Sequence, residues 1–522
     1  MSTTHSEDRA PTARRANRWI ALAVVCISVA VIVLDGTIVN VAIPSIQLSL
    51  GVTSSQLQWI VDAYTLVFAS MLLTAGTMGD RYGRRGTLMV GLTVFGGGSA
   101  LAAFATEPWE LIAFRALMGL GAAAIYPTTL SIITNMFEGT ERGRAIGIWA
   151  ALGGVGVALG PILGGVLLDR WWWGSVLLVN VPIVAVSLVL IWLFVPTSRD
   201  RDARSLDLIG FVLSIVGLTA LLYGIIEGPH AGWSSTRVLT ALVAGVAVLT
   251  VFVGWEKHAR EPMLPLQFFK NARFSAASVA LSMTFFSLFG FIFMLTQYLQ
   301  FVRGLSPLQA GLRLAAPAIG LGIGSPLAPR LVERVGSKIV VAGGLLGASA
   351  MLLLLTSETV VSHDVLLAPV FGAFGLAMGM TMAPATESIM GSVPRSRAGV
   401  GSAVNDTTRQ AGGALGVAVL GSILATRYNA QINRAAFPAP LATAAKQSIG
   451  AALEIAQRQP PAIATHLVEL ARAGFTSGMR LATFAAAIVV FAAALIVVRF
   501  LPARAPEDAA RETSPRPPSR VS

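Results

Sequence analysis

Charged side chains are scarce in this chain of 522 residues: Asp, Glu, Lys and Arg make up 12% of it, and hydrophobic residues make up 54%. A soluble globular domain carries about 25% charged residues. Half that fraction leaves too little charge to cover a water-exposed surface of this size. The composition therefore excludes a mainly soluble protein and predicts that lipid surrounds most of the chain.

Cysteine is almost absent as well. Cys26 is the only one, so the chain can form no intrachain disulfide and no cysteine-based metal site. The five histidines lie outside the predicted apolar spans, which argues against a buried histidine proton relay or a haem ligand. We therefore expect no cofactor. The histidines are His5, His230, His258, His363 and His466.

The sequence also lacks a polar segment that could fold into a catalytic or ligand-binding domain outside the membrane. The longest polar segment, 425–477, contains no catalytic constellation, nucleotide motif or metal cluster. A net charge of +12 would suit a nucleic-acid-binding protein. Here the basic residues are scattered between apolar runs, as membrane topology requires. Neither an enzyme nor a nucleic-acid partner is expected.

What the chain does contain is long apolar runs. A membrane-spanning helix needs about 20 mostly apolar residues, and the sequence predicts fourteen such spans. The first is too long for the apolar core of a signal peptide and is read as a retained span. The approximate limits are 19–44, 56–77, 87–105, 109–134, 143–168, 174–195, 206–226, 237–255, 274–301, 308–331, 337–356, 364–390, 397–424 and 478–500.

Basic residues concentrate in alternate loops between these spans, and such loops usually lie in the cytoplasm. The pattern predicts a multi-pass protein of the cytoplasmic membrane with both termini inside. The tails are 1–18 and a disordered 501–522. One side carries Arg81, Arg84, Arg85, Arg142 and Arg144, whereas the short loops of the other side carry few, such as Arg170 and Arg237.

Two loops are related by an internal repeat. GDRYGRRG (79–86) and LVERVGSK (331–338) align at a constant offset of 253 residues. Such a repeat predicts two six-helix bundles, 19–195 and 274–500, with two further spans inserted in 196–273. Segment 425–477 is then a solvated outer loop of the second bundle. The first loop reads as a conformational latch made of Gly79, Asp80, Arg81, Gly83, Arg84 and Arg85.

Five charged residues lie inside predicted spans, away from the span ends: Asp35, Asp62, Arg115, Asp406 and Arg409. A charge at mid-bilayer costs about 2.5–3.5 kcal/mol on insertion scales, so such residues are functional candidates. We predict that all five take part in proton coupling. Asp35 is the expected proton carrier, Asp62 the expected carboxylate for a cationic substrate, and Asp406 and Arg409 can pair with each other. The alternative is a set of structural ion pairs between helices.

Two further patterns concern packing and substrate. GVALGPILGG (156–165) places Gly156, Gly160, Pro161, Gly164 and Gly165 in span 5, where small residues allow close helix contacts. Span 9 is rich in aromatic residues. A substrate cavity could be lined by Phe285, Phe289, Gln297 and Tyr298.

Together these motifs resemble the major facilitator superfamily, and within it the fourteen-span drug:proton antiporters. The resemblance rests on LDGTIVNVAIP (34–44), GDRYGRRG, Arg115 and above all GVALGPILGG. It implies a monomeric all-α membrane protein that exports small lipophilic molecules, cationic or neutral, in exchange for protons.

The sequence departs from that family in WWWGSVLLVNVP (171–182), where Gly174 and Ser175 stand in place of an Arg and a second Trp. No ionic contact is therefore expected from that loop. The competing interpretation is a symporter or uniporter that imports a nutrient on the same fold.

Overall fold

The computed structural model describes residues 9–199, 207–357, 363–393, 398–435 and 437–502. Most of these residues are helical, as the apolar runs predict. The first half of the chain contains α1 (Arg9–Leu50), α2 (Ser54–Tyr82), α3 (Arg84–Ala103), α4 (Pro108–Met136), α5 (Gly139–Arg170), α6 (Ser175–Leu178) and α7 (Asn180–Phe194).

The inserted pair is α8 (Leu208–Ala231) and α9 (Thr236–His258), followed by a 3₁₀ turn at Leu266–Lys270. A π-helical turn at Tyr298–Val302 follows the first long helix of the second half. The second half contains α10 (Ala272–Gln297), α11 (Pro307–Leu314), α12 (Ala316–Val335), α13 (Ser337–Leu355), α14 (Asp364–Gly391), α15 (Ala398–Arg434), α16 (Ala439–Ala445), α17 (Ile449–Ala456) and α18 (Pro461–Phe500).

Helices occupy all fourteen positions predicted for spans. Within the described residues, twelve helical segments are long and apolar enough to cross a membrane. The other two positions are held by α5 and by α11–α12. The predicted span 308–331 is broken at Ala315, because Pro317 has no N–H to donate and its ring disfavours a continuous helix.

The repeat between the two halves is visible in the backbone. Gly83 joins α2 to α3 with φ +116°, and Gly336 joins α12 to α13 with φ +84°. The Gly83 N–H donates to Gly79 O at 3.1 Å, and the Gly336 N–H donates to Val332 O at 2.8 Å. These positions correspond at the offset of 253, and a positive φ favours glycine at both. We call this end of the bundle the Gly83 end and the opposite end, where α1 meets α2, the Leu50 end.

Segment 425–477 is not a solvated loop. It contains the end of α15, two short helices and the start of α18. Ser448 and Ile449 are buried, and Tyr428 OH donates to Ala445 O at 3.0 Å. Ser54 N, in the first half, donates to Gln447 O at 2.8 Å. The segment therefore packs across both halves at the Leu50 end, and the sequence missed it because its apolar residues are mostly alanine.

The inserted helices differ in their surroundings. α8 packs against α2 of the first half and α15 of the second half. α9 packs against α8 and exposes apolar side chains, including Val243, Val246 and Val251. A face of this kind suits contact with lipid.

Candidate functional site

The first half of the chain contains a buried ionic cluster centred on Asp35 of α1. Arg115 Nη1 of α4 donates to Asp35 Oδ2 at 2.6 Å. Asn180 Nδ2, at the start of α7, donates to Asp35 Oδ1 at 2.9 Å. Asp35 is 0% exposed and Arg115 is 2% exposed. Each carboxylate oxygen therefore has a donor, and three helices meet at one buried charge pair.

Arg115 is held on two further sides. Its Nε donates to Ile60 O of α2 at 3.2 Å, and its guanidinium lies 4.3 Å from the ring centroid of Tyr64. A cation over an aromatic face contributes more where both groups are desolvated. These contacts hold the guanidinium in one orientation, so any change in the charge of Asp35 acts directly on the α1–α2–α4 contact.

Asn180 was not singled out from the sequence. It also donates to Ser99 Oγ at 3.1 Å, and Ser99 Oγ donates to Leu177 O at 2.8 Å. Segment 171–182, which departs from the family pattern, therefore still contacts Asp35, and it does so through the side-chain amide of Asn180 instead of a charged group. The available signal was an asparagine just inside an apolar run, next to Pro182.

The surroundings of Asp62 on α2 differ from those of Asp35. It is 0% exposed, and neither carboxylate oxygen has a hydrogen-bond partner. Helical spacing places Asp62 on one stripe of α2 with Gln58, Trp59 and Leu66. Gln58 packs directly against Gly421 of α15, and Trp59 and Leu66 border an apolar cluster with α8. The structure thus brings Asp35 and Arg115 together and leaves Asp62 apart from them, in the seam between the halves.

The charges of the second half form a looser pair on α15. Arg409 Nη1 lies 3.7 Å from Asp406 Oδ1, as three-residue spacing predicts. Arg409 Nη2 donates to Thr386 Oγ1 at 2.8 Å, and Asn405 Nδ2 donates to Asp406 Oδ1 at 3.2 Å. The Arg409 side chain, at 22% exposed, is more accessible than Arg115.

A row of aromatic rings connects the two ion pairs. Successive ring centroids of Tyr64, Phe68, Tyr126 and Trp149 lie 5.9, 6.0 and 5.3 Å apart. Tyr64 lies against Arg115. Tyr126 lies close enough to Asp406 and Arg409 to interact with both electrostatically. The sequence did not identify this row, because its members come from three helices.

The proposed aromatic cavity of α10 is divided in two. The rings of Phe285 and Phe289 lie 5.7 Å apart, and the Arg409 guanidinium lies 5.6 Å from the Phe285 ring. Gln297 instead donates to Phe293 O, and Tyr298 begins the π-helical turn. Both are buried near the Leu50 end. Phe285 borders the charged site and packs against Phe289, whereas Gln297 and Tyr298 lie elsewhere.

The glycines of span 5 form a packing face. A methyl group at Gly156, Gly160 or Gly164 would meet Val33, Thr37 or Ile38 of α1, respectively. Their four-residue spacing allows α5 to lie directly on the helix that carries Asp35.

The neighbouring positions of α5 face the second half. A methyl group at Gly165 would meet Leu308 of α11, and one at Gly311 would meet Pro161 O. The motif therefore joins the Asp35 helix to the seam between the halves.

The loop at the Gly83 end carries an ionic contact between two of the residues predicted for the latch, Asp80 and Arg84. Asp80 Oδ1 accepts hydrogen bonds from Arg84 Nε at 2.8 Å and from Ser131 Oγ of α4 at 2.7 Å. Arg85 Nη2 donates to Trp192 O of α7 at 2.8 Å. Arg81 lies over its neighbour Tyr82. Asp80 thus joins α2 to α3 through Arg84 and α2 to α4 through Ser131, and not through Arg81 or Arg85.

In the part of the chain that the structure describes, no three His, Cys, Asp or Glu side chains gather in a way that could hold a metal ion. Asp35 and Arg115 pair across two helices, Asp406 and Arg409 pair within one helix, and Asp62 has no hydrogen-bond partner. Their arrangement suits the binding and release of protons and organic ions by moving helices.

Comparison with known proteins gives a consistent picture. The sequence profile of the Major Facilitator Superfamily matches residues 25–417. The Multidrug efflux pump LfrA of Mycolicibacterium smegmatis is 36% identical over 499 residues, which cover 95% of this chain and 97% of the relative. The Tetracenomycin C resistance and export protein of Streptomyces glaucescens is 34% identical, over 97% of this chain and 95% of the relative.

A further relative, the Methyl viologen resistance protein SmvA of Salmonella typhimurium, is 32% identical over 88% of this chain and 93% of the relative. Among solved structures, a bacterial homologue of the human lysosomal transporter Spinster, in an inward-facing and unoccupied conformation, superposes with a TM-score of 0.65. That match covers 94% of this chain and 99% of the other at 17% identity. This structural likeness supports the fold.

Proposed function

Because the chain belongs to the major facilitator superfamily, and is therefore a membrane transporter and not an enzyme, we propose that it exports small lipophilic molecules in exchange for protons. The observation that carries the proposal is the buried cluster of Asp35, Arg115 and Asn180. A proton on Asp35 would remove the charge that holds Arg115 and so loosen α1 from α4. Two bundles that rock about a central site can convert that change into alternating access.

The substrate class follows from the surroundings of the second ion pair. Asp406 lies near Tyr126, Phe285 lies against Arg409, and Phe289 lies against Phe285. Aromatic faces bind flat apolar molecules and also attract organic cations. The relatives are named for multidrug efflux and for resistance to tetracenomycin C and methyl viologen. We infer a preference for lipophilic cations and neutral amphiphiles over anions. One chain supplies both halves of the site, so a monomer suffices.

Transport in proteoliposomes with an imposed pH gradient tests this proposal. Wild-type protein should drive uptake or efflux of ethidium, a planar aromatic cation, in the direction opposite to proton flow. Asp35→Asn should reduce that flux at least tenfold while ethidium binding persists. The matched control is Glu454→Gln, an exposed carboxylate paired with Arg458. Gradient-driven flux that is normal in Asp35→Asn would refute the proton role, and dye flux in the same direction as the protons would favour a symporter.

We propose that the Gly83 end faces the cytoplasm and that both termini lie on that side, because basic residues concentrate there. Cysteine labelling tests this orientation, since Cys26 is the only native cysteine and is buried. Phe104 at the Leu50 end is 65% exposed and Tyr82 at the Gly83 end is 66% exposed. A membrane-impermeant maleimide should label Phe104→Cys, but not Tyr82→Cys, in intact cells. The reverse pattern would invert the topology.

A further inference from the structure

The inserted helix α8 lies on the seam between the two halves. A separate apolar cluster joins Leu66 of α2, Leu222 and Ile226 of α8, and Ala414 and Ala418 of α15. All five side chains are buried. α8 therefore closes one side of the interface that must open and close during transport.

The last turns of α8 are hydrogen-bonded to both halves. Ser55 Oγ of α2 donates to Ile226 O at 3.3 Å. Ser422 Oγ of α15 donates to Ile225 O at 2.8 Å. Pro229 has no N–H to satisfy Ile225 O four residues earlier, so that carbonyl is left to a partner outside the helix. The proline thus makes α8 a ready acceptor for α15, and the two contacts fasten α8 across the seam.

Asp62 lies beneath this cover. Leu66, which shares its stripe on α2, belongs to the α8 cluster, and Trp59 on the same stripe packs against that cluster. Asp62 is itself fully buried, and both of its oxygens lack a hydrogen-bond partner. An ionised carboxylate without partners is strongly disfavoured in an apolar site. A protonated carboxyl removes that penalty, so the closed seam suits the neutral form.

Within the described residues, no nearby charged group offsets the cost of an ionised Asp62. Arg115 on α4 is bonded to Asp35, and Arg409 on α15 faces Asp406. On α8, Glu227 and His230 both interact with Ser55, which lies about two turns of α2 from Asp62 toward the Leu50 end. None of these groups donates a hydrogen bond to Asp62.

We propose that Asp62 is a proton-binding site and that α8 is its cover: the seam between α2 and α15 closes at the Leu50 end only when Asp62 carries a proton. When the halves part at that end, α8 leaves one of them and water reaches Asp62. The proton then passes between a carboxylate oxygen and water, with no other bond changed. This inference rests on the proposed antiport and gives the inserted pair a role in coupling, in place of the earlier expectation that Asp62 contacts the substrate.

Carbodiimide labelling reads the state of Asp62 without requiring transport. Dicyclohexylcarbodiimide reacts with protonated carboxyls in apolar sites, so mass spectrometry should find it on Asp62 of the wild type. A water-soluble carbodiimide should leave Asp62 unmodified. The double variant Leu222→Ala/Ile226→Ala thins the cover. We expect it to raise water-soluble labelling of Asp62 several-fold and to permit a proton leak without substrate.

The matched control truncates two exposed aliphatic side chains of α9, Val243→Ala/Val246→Ala, and should behave as the wild type does. Equal labelling of Asp62 and equal proton leak in both double variants would refute the role of α8 as the cover of Asp62, provided that the wild type exchanges dye for protons. A wild type that shows no such exchange would instead overturn the proposed function. The two failures are therefore distinguishable.

Asp62→Asn gives a second, independent test if the α8 variant does not fold. As a proton site, Asp62 is needed for every substrate, so gradient-driven flux of a cationic dye and of a matched neutral dye should both fall at least tenfold. Exchange of labelled for unlabelled dye without a gradient should persist. Loss of cation flux alone, with neutral flux intact, would make Asp62 a substrate contact and would overturn the inference.

Discussion

Asp35 and Asp62 are both fully buried carboxylates, but they differ in their hydrogen-bond partners. Asp35 has one donor on each oxygen, whereas Asp62 has none. A buried charge pair is tolerated only while both partners remain, because removal of one leaves the other uncompensated. The same residue type, in the same half of the molecule, can therefore hold a charge at one position and favour a proton at the other.

A double-mutant cycle at the Asp35–Arg115 pair measures this dependence. Arg115→Leu leaves Asp35 as a buried charge without a cation and should lower stability by about 3–5 kcal/mol. Adding Asp35→Asn removes that charge and should recover part of the loss, which gives a non-additive cycle. Thermal unfolding of the purified variants in detergent is the measurement. Strictly additive losses would show that the pair contributes no interaction of its own.

Two elements place the functional side chains, and the first is the α2–α3 junction. Gly83 turns the chain with a positive φ, which allows Arg84 to reach back to Asp80. Asp80 also accepts a hydrogen bond from Ser131. The junction thus ties three helix ends together at the Gly83 end.

Asp80→Asn should weaken this tie, because an amide does not attract the Arg84 guanidinium as a carboxylate does. The Gly83 end should then open more often, since loss of a contact present in one state shifts the population toward the other. We expect faster maleimide labelling of cysteines introduced near that end of the cavity. Arg81→Ala is the control, because Arg81 lies over Tyr82 and not against Asp80; equal labelling of the two variants would rule out the latch.

The second element is α5, whose glycines allow it to lie on α1. A methyl group at Gly160 would overlap Thr37 Oγ1, two residues from Asp35. Gly160→Ala should therefore push the helices apart at a cost of about 1–3 kcal/mol. Thermal unfolding and dye efflux should both decline.

Gly147→Ala in the same helix is the matched control, because nothing lies within 4 Å of the added methyl group. It should leave stability unchanged or raise it, since alanine favours a helix over glycine. If the two variants proved equally stable, close α1–α5 packing would have no role in the fold.

At the scale of the whole molecule, the two halves meet along two seams. On one side α5 contacts α11, and on the other α2 contacts α15 with α8 across them. Segment 437–457 adds contacts between the halves at the Leu50 end, through Ser54 and Gln447. Rocking of the halves has to break these contacts at that end. Helix α8 of the inserted pair and the short helices α16 and α17 therefore belong to the moving interface rather than to its periphery.

The sequence by itself determined that lipid surrounds most of the chain, where the helices lie, and that a repeat relates the two halves. Apolar runs of about 20 residues and the scarcity of charge act locally, so composition suffices to find them. The glycines at 83 and 336 also follow from sequence, because a junction with positive φ favours that residue type. The five charged residues inside the predicted spans could be identified for the same reason, since any charge inside an apolar run is exceptional.

Only the tertiary structure decided which of those charges meet. Asp35 and Arg115 are 80 residues apart, and Ser422 meets Ile225 across 197 residues. Such contacts depend on how each helix is rotated and where it crosses its neighbours, and small residues such as Gly160 and Gly421 set those crossings. Spacing along one helix predicted the Asp406–Arg409 pair. It could not place Asn180 beside Asp35, or leave Asp62 without a partner beneath α8, because those outcomes depend on helices that are distant in sequence.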